Sequence, residues 1–126
     1  MKRFFLYWLP VLIYAGLIFL LSSFSLRAVP KEITHFDYLI HFIEYAILSL
    51  LIYRACIHTP AKSFSQHAVF LSIIISVLYG LSDEFHQSFV PDRVISLSDF
   101  IFDSLGSLVA ASLAGRFWKP RSDRPD

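Results

Sequence analysis

The chain has 126 residues, a net charge of +1 and one cysteine; 56% of its residues are hydrophobic and only 17% charged. Soluble domains run at about 45–50% apolar and about 25% charged, and so short a chain has too much surface to hide the excess. These figures exclude disorder, a basic nucleic-acid binder and an intramolecular disulfide framework, and they leave a small integral membrane protein.

Four apolar runs follow one another: Phe4 to Leu21, Tyr38 to Ile57, Ala68 to Leu81 with an extension toward His86, and Leu97 to Trp118. About 20 residues of helix cross a hydrocarbon core about 30 Å thick, so each run is read as a span. The predicted fold is all-α, a four-helix transmembrane bundle over residues 1–118 with a polar, frayed cytoplasmic tail over 119–126. The first run follows Lys2 and Arg3 and invites a signal-peptide reading. Its length exceeds an ordinary apolar h-region, and Ser22-Ser23-Phe24-Ser25 is a poor cleavage site, so it is read as a retained helix. Pro10 is expected to kink it.

Basic residues set the expected orientation. With the N-terminus in the cytoplasm, eight of the eleven Lys and Arg residues fall inside, and only Arg27, Lys31 and Arg93 fall outside. The sequence therefore predicts N-in/C-in.

Polar residues then collect toward the outer face. Asp37, His41, Glu44 and Tyr45 open the second run. Asp83, Glu84, His86 and Gln87 close the third, Pro91 and Arg93 follow, and Asp99 and Asp103 open the fourth. Asp37, His41 and Tyr45 are four apart and rise along one helical face, joined by Glu44. Tyr79, Asp83, His86 and Gln87 share a face, with Glu84 about a third of a turn away. Asp99, Asp103 and Gly106 align, followed by Ala110 and Ala114, small residues that permit close helix approach. The opposite halves, such as Ile47 to Ile52 and Phe70 to Leu78, read as nearly pure hydrocarbon. Charged groups in a span usually face the bundle interior or a water-filled cavity, so the economical arrangement is one shared polar cavity, open outward. Each residue also has an ordinary reading: His41 as a packed core histidine, Asp37 as a helix cap, Asp99 as a dipole partner, Arg93 as an interfacial anchor, and Tyr45 and Tyr79 as packing aromatics. Capping alone does not call for two histidines, several acids and an arginine at one depth.

These residues resemble the VanZ-like family. The likeness rests on Asp37-x-x-x-His41-Phe42-x-x-Tyr45, on Tyr79-Gly80-x-x-Asp83-Glu84-x-His86-Gln87-x-Phe89-x-Pro91-x-Arg93, and on Asp99-x-x-x-Asp103-x-x-Gly106. Two positions depart from the family's usual pattern. Asp103 stands where Asn is common and adds a charge to the cavity; Asp92 stands where Gly is common and is expected to stiffen the loop. The resemblance implies a small multi-pass protein of the bacterial cytoplasmic membrane, whose founding member is associated with resistance to the glycopeptide teicoplanin. It implies no particular reaction.

The residues themselves suggest three function classes. In the first, an outward-facing enzyme, His41 and His86 are acid and base, and Asp83 or Glu84 orients an imidazole. Tyr45 donates a proton or hydrogen bond, and Arg93 grips a phosphate or carboxylate. Gln87, Asp37, Asp99 and Asp103 complete the substrate-binding set. An anionic membrane lipid or a polyprenyl-linked headgroup would bring its anion to this depth, for hydrolysis or group transfer. Cys56 lies at the other face, so no covalent nucleophile stands out. A Zn²⁺ or Mn²⁺ site from His41, His86 and two or three acids is conceivable. However, Asp83-Glu84-Phe85-His86 lacks the His-Glu-x-x-His spacing, and no cofactor is expected. The second class is a protein that binds or shields an envelope lipid or a lipophilic antibiotic. The third, a small transporter, lacks a continuous polar path.

Overall fold

The computed structural model describes residues 2–24, 36–93 and 95–118. The helices are α1 (Lys2–Ser22), α2 (Asp37–His58), a short α3 (Lys62–Gln66), α4 (Ala68–Gln87) and α5 (Leu97–Phe117), and no strand occurs among the described residues. α1, α2, α4 and α5 are 20 to 22 residues long and apolar enough to cross a membrane, which is the four-span architecture read from the sequence. Pro10 lies inside α1 without ending it. α4 continues six residues past Leu81, because its acids face the protein and cost the helix no lipid contact. α3 carries no apolar run, and nothing in the hydropathy marks it. The segment with Arg27 and Lys31 and the tail from Lys119 lie outside the described residues.

The distribution of side chains is inverted relative to a soluble domain. Phe4, Ile13, Phe70 and Leu78 are each more than half exposed, while His41, Asp83, Glu84, Gln87 and Asp103 are buried. Apolar surface belongs against lipid, and polar groups must find partners inside.

α2 is the hub. It packs most extensively on α5 and also against α4 and α1, whereas α1 touches α4 only lightly. Lipid supplies no hydrophobic drive for helices to associate, so small residues and interhelical hydrogen bonds do that work. Gly106 on α5 is the tightest point: a Cβ there would lie 2.2 Å from the Phe42 carbonyl oxygen and 3.2 Å from the Ala46 nitrogen. Ala110, Ala111 and Ala114 continue the same buried seam. Hydroxyls stitch it together. Ser49 donates to the Ser107 carbonyl at 3.0 Å, and Ser107 donates to the Asp103 carbonyl at 2.9 Å. Ser76 and Ser107 meet at 2.7 Å. The stretches read as plain hydrocarbon thus hide a buried serine line, Ser72 and Ser76 leading up to Gly80 at four-residue intervals. α1 is fastened at three levels: Trp8 donates to Thr59 at 3.0 Å, Tyr79 on α4 donates to the Ala15 carbonyl at 2.6 Å, and Ser22 donates to Asp83 on α4.

Gly106→Ala should therefore destabilise the bundle by about 1–3 kcal/mol, the cost of overpacking against a rigid neighbour. Gly16→Ala, where a Cβ meets nothing within 4 Å, should cost nothing. Unfolding measured in micelles or bilayers checks the contrast.

Candidate functional site

One end of the bundle gathers the C-terminal turns of α1 and α4 and the N-terminal turns of α2 and α5. The helix ends themselves are simple. α2 begins after Phe36, whose side chain provides no cap. Asp37 is therefore not a cap but the first helical residue, an acid in the first turn. α5 is capped by Ser96, whose hydroxyl accepts the Asp99 N–H at 3.2 Å.

His41 is the centre. Its Nδ1–H donates to Asp103 Oδ1 at 3.0 Å, across the tight α2–α5 contact. Its Nε2 lies 3.8 Å from Asp99 Oδ2. A buried carboxylate on one ring nitrogen fixes the tautomer and orientation of an imidazole, so Nε2 is the nitrogen left to exchange protons while that bond is in place.

On one side of His41 lies a cavity of about 250 Å³. Its polar wall is Ser22, Asp37, His41, Glu44, Asp83, Gln87 and Arg93, and Ile18, Leu21 and Ile40 complete it. A hydrogen-bonded chain runs around the rim. Ser22 donates to Asp83 Oδ1 at 2.6 Å, and Gln87 Nε2 donates to Asp83 Oδ2 at 2.9 Å. Arg93 donates through a terminal nitrogen to Gln87 Oε1 at 3.3 Å and through Nε to the Phe24 carbonyl at 3.2 Å. Its guanidinium is thus held by an amide and a backbone carbonyl rather than by Asp99 or Glu84. The loop is what aims it. The Arg93 N–H bonds back to the Val90 carbonyl at 3.1 Å, with Pro91 next and Asp92 at φ 66°. Proline followed by a positive φ is the pattern of a type II turn. Asp92 takes up the left-handed conformation that glycine adopts freely and Asp tolerates.

On the other side of His41 lies a closed inner cluster. Glu84 and Asp103 are both buried there, and Glu84 Oε2 accepts the Ser96 N–H at 2.9 Å. Glu84 Oε1, Asp103 Oδ2 and the Tyr45 hydroxyl are buried without a partner among the described residues. Two sets of donor atoms lie within 4.8 Å of one another, as a metal ion requires: Asp37, His41 and Asp99, and His41, Glu84 and Asp103.

The candidate residues read from the sequence thus divide. Asp37, His41, Asp83, Gln87 and Arg93 line the cavity. Glu84, Asp103 and Tyr45 stand behind it, and Asp99 stands beside His41. His86 does not line the cavity: its ring stacks on Phe19 of α1, centroids 4.3 Å apart, and its Nδ1 is buried without a partner. Ser22 and Ser96 escaped the sequence reading, and Glu44 was grouped with the polar face without a role. Each is a polar residue at the depth of Asp83 or Asp99, and depth was the available signal.

A family model described as VanZ/LLP1 matches residues 5–118, nearly the whole chain. No curated protein and no solved structure matches it.

Ser22→Ala would leave Asp83 Oδ1 without its donor, at a cost of about 1–3 kcal/mol for a buried acceptor. Ser23→Ala removes only an exposed bond to its own helix and should be neutral. Thermal unfolding of the two variants side by side tests the assignment.

Proposed function

The chain belongs to the VanZ/LLP1 family, and on that premise we propose that it is a bacterial cytoplasmic-membrane enzyme with its polar end outward. Its substrate would be the phosphate-bearing headgroup of an envelope lipid, phospholipid or polyprenyl-linked, and its reaction hydrolysis or group transfer. The observation that carries this reading is the placement of His41. Its Nδ1 is tied to a buried Asp103 carboxylate while the residue borders a cavity that also holds Arg93.

The lining chemistry suits such a headgroup better than a bare anion. Arg93 offers a planar fork for phosphate oxygens. Asp37, Glu44 and Asp83 would repel a simple anion, but they accept hydrogen bonds from sugar hydroxyls or from an ammonium on the same headgroup. In the reaction His41 takes a proton from the attacking water or hydroxyl and returns it to the leaving oxygen. Asp103 stabilises the charged imidazole meanwhile. Arg93 balances charge on the phosphate. A second reading, a protein that holds an envelope lipid or a lipophilic antibiotic without turnover, draws support from His86: its stacking on Phe19 leaves a single histidine in the cavity.

Comparison of the lipids of knockout and overexpressing cells separates the two. Turnover depletes one lipid pool and builds another, whereas holding leaves both unchanged. His41→Ala should abolish the change, since general acid–base groups supply about 10²–10⁴-fold, and Arg93→Lys should weaken it at equal protein level. Single cysteines placed between residues 27 and 35 in a Cys56→Ser background should react with an impermeant reagent from outside. Labelling only from the cytoplasm would overturn the outward orientation.

A further inference from the structure

The inner cluster behind His41 carries a difficulty that the lipid reading leaves untouched. His41, Glu84 and Asp103 are 6%, 3% and 0% exposed, so little or no solvent reaches the two acids. The ion pairs that Asp99 and Asp103 make among the described residues are with His41. One oxygen of each buried acid, Glu84 Oε1 and Asp103 Oδ2, has no donor, and neither has the Tyr45 hydroxyl one turn along α2. Buried polar atoms are nearly always partnered, and a buried carboxylate oxygen without a donor is a costly exception. The two carboxylate oxygens ask for a shared partner. α4 approaches the cluster closely at Gly80: a Cβ there would lie 3.1 Å from the Tyr45 ring and 3.4 Å from Asp103 Oδ2, so only glycine leaves these two side chains undisturbed.

We propose that His41, Glu84 and Asp103 bind one divalent cation, of the Mn²⁺ or Zn²⁺ class, in the interior between α2, α4 and α5. Their donor atoms lie within 4.8 Å of one another. Glu84 Oε1 and Asp103 Oδ2, which lack donors, are the oxygens the ion would engage, and His41 Nδ1, 3.0 Å from the other oxygen of Asp103, completes the set. One imidazole with two carboxylates is a borderline donor set. It suits Mn²⁺ or Zn²⁺ better than Ca²⁺, which takes six to eight oxygens, or Mg²⁺, which keeps its waters. Without the ion, Nδ1–H bonds Asp103. With it, Nδ1 ligates the ion and the ring proton moves to Nε2, facing Asp99 Oδ2 at 3.8 Å. Asp99 then becomes the outer carboxylate that orients a metal-bound histidine. Loaded and empty forms thus present Asp99 with a donor or an acceptor at the same nitrogen. The site is a property of the inner cluster alone and stands whether or not the cavity takes a lipid.

The test reads binding, not turnover. The full chain in nanodiscs is stripped with chelator and titrated with Mn²⁺, free ion being followed by electron paramagnetic resonance and Zn²⁺ serving as competitor. One ion per chain is expected. Glu84→Gln and Asp103→Asn should each weaken binding by about tenfold or more, while Asp37→Asn, which touches only the outer donor set, leaves it unchanged. Uptake no greater than that of empty nanodiscs overturns the proposal. So does an affinity that responds to Asp37→Asn and not to Glu84→Gln. Glu84→Gln keeps the Ser96 N–H bond within reach, so it decides the matter even if Asp103→Asn fails to fold.

Discussion

Backbone contact between α2 and α5 sets the depth at which every other polar group sits. Gly106 has no side chain, and the Phe42 carbonyl occupies the space a Cβ would fill. His41 precedes Phe42 and Asp103 lies one turn before Gly106, so the contact brings imidazole and carboxylate level. Their 3.0 Å hydrogen bond follows from it. A larger residue at position 106 would separate the helices and leave an acid buried without its partner. In a bilayer such a mismatch has no water to relieve it. Close packing and the polar pair are therefore one device, and the serine line below extends it toward the far end of the seam.

Around that pair the polar end divides into two compartments that share His41. Toward α1 the wall is hydrogen-bonded but accessible: Ser22, Asp83, Gln87 and Arg93 form a chain in which each acceptor has a donor. Toward α5 the groups are sealed and partly unpartnered, with Glu84 pinned on one side by the start of α5. The first compartment is the cavity of the proposed headgroup site and the second the proposed ion site. His41 stands between them, and under the proposed ion binding a change of partner at Nδ1 would move the ring proton to Nε2.

Much of this was legible in the sequence. The four spans follow from apolar run length, and the common depth of Asp37, His41, Asp83, Asp99 and Asp103 follows from their places in those runs. The role of Gly106 followed from small residues repeating at helical spacing. The rotation of α4 was not legible. Helical spacing placed Tyr79, Asp83, His86 and Gln87 on one face, with Glu84 off it. The buried stripe of α4 instead runs through Ser72, Ser76 and Gly80 to Glu84, flanked by Asp83 and Gln87. Serine and glycine score weakly on any hydropathy scale, so the true inner face was hidden. His86, about 200° around the helix from Glu84, falls against α1 and stacks on Phe19. The partners of Arg93 were not legible either: Gln87 and the Phe24 carbonyl come within its reach through the turn at Asp92.

The central claim is that His41 and Asp103 are directly coupled across the α2–α5 seam. A double-mutant cycle of His41→Gln and Asp103→Asn, with unfolding free energies measured in bilayers by steric trapping, tests it without reference to substrate or metal. A coupling energy of about 1 kcal/mol or more is predicted, toward the upper end of values found for interhelical hydrogen bonds in membranes. Additivity within about 0.3–0.5 kcal/mol, the behaviour of independent sites, would contradict the account.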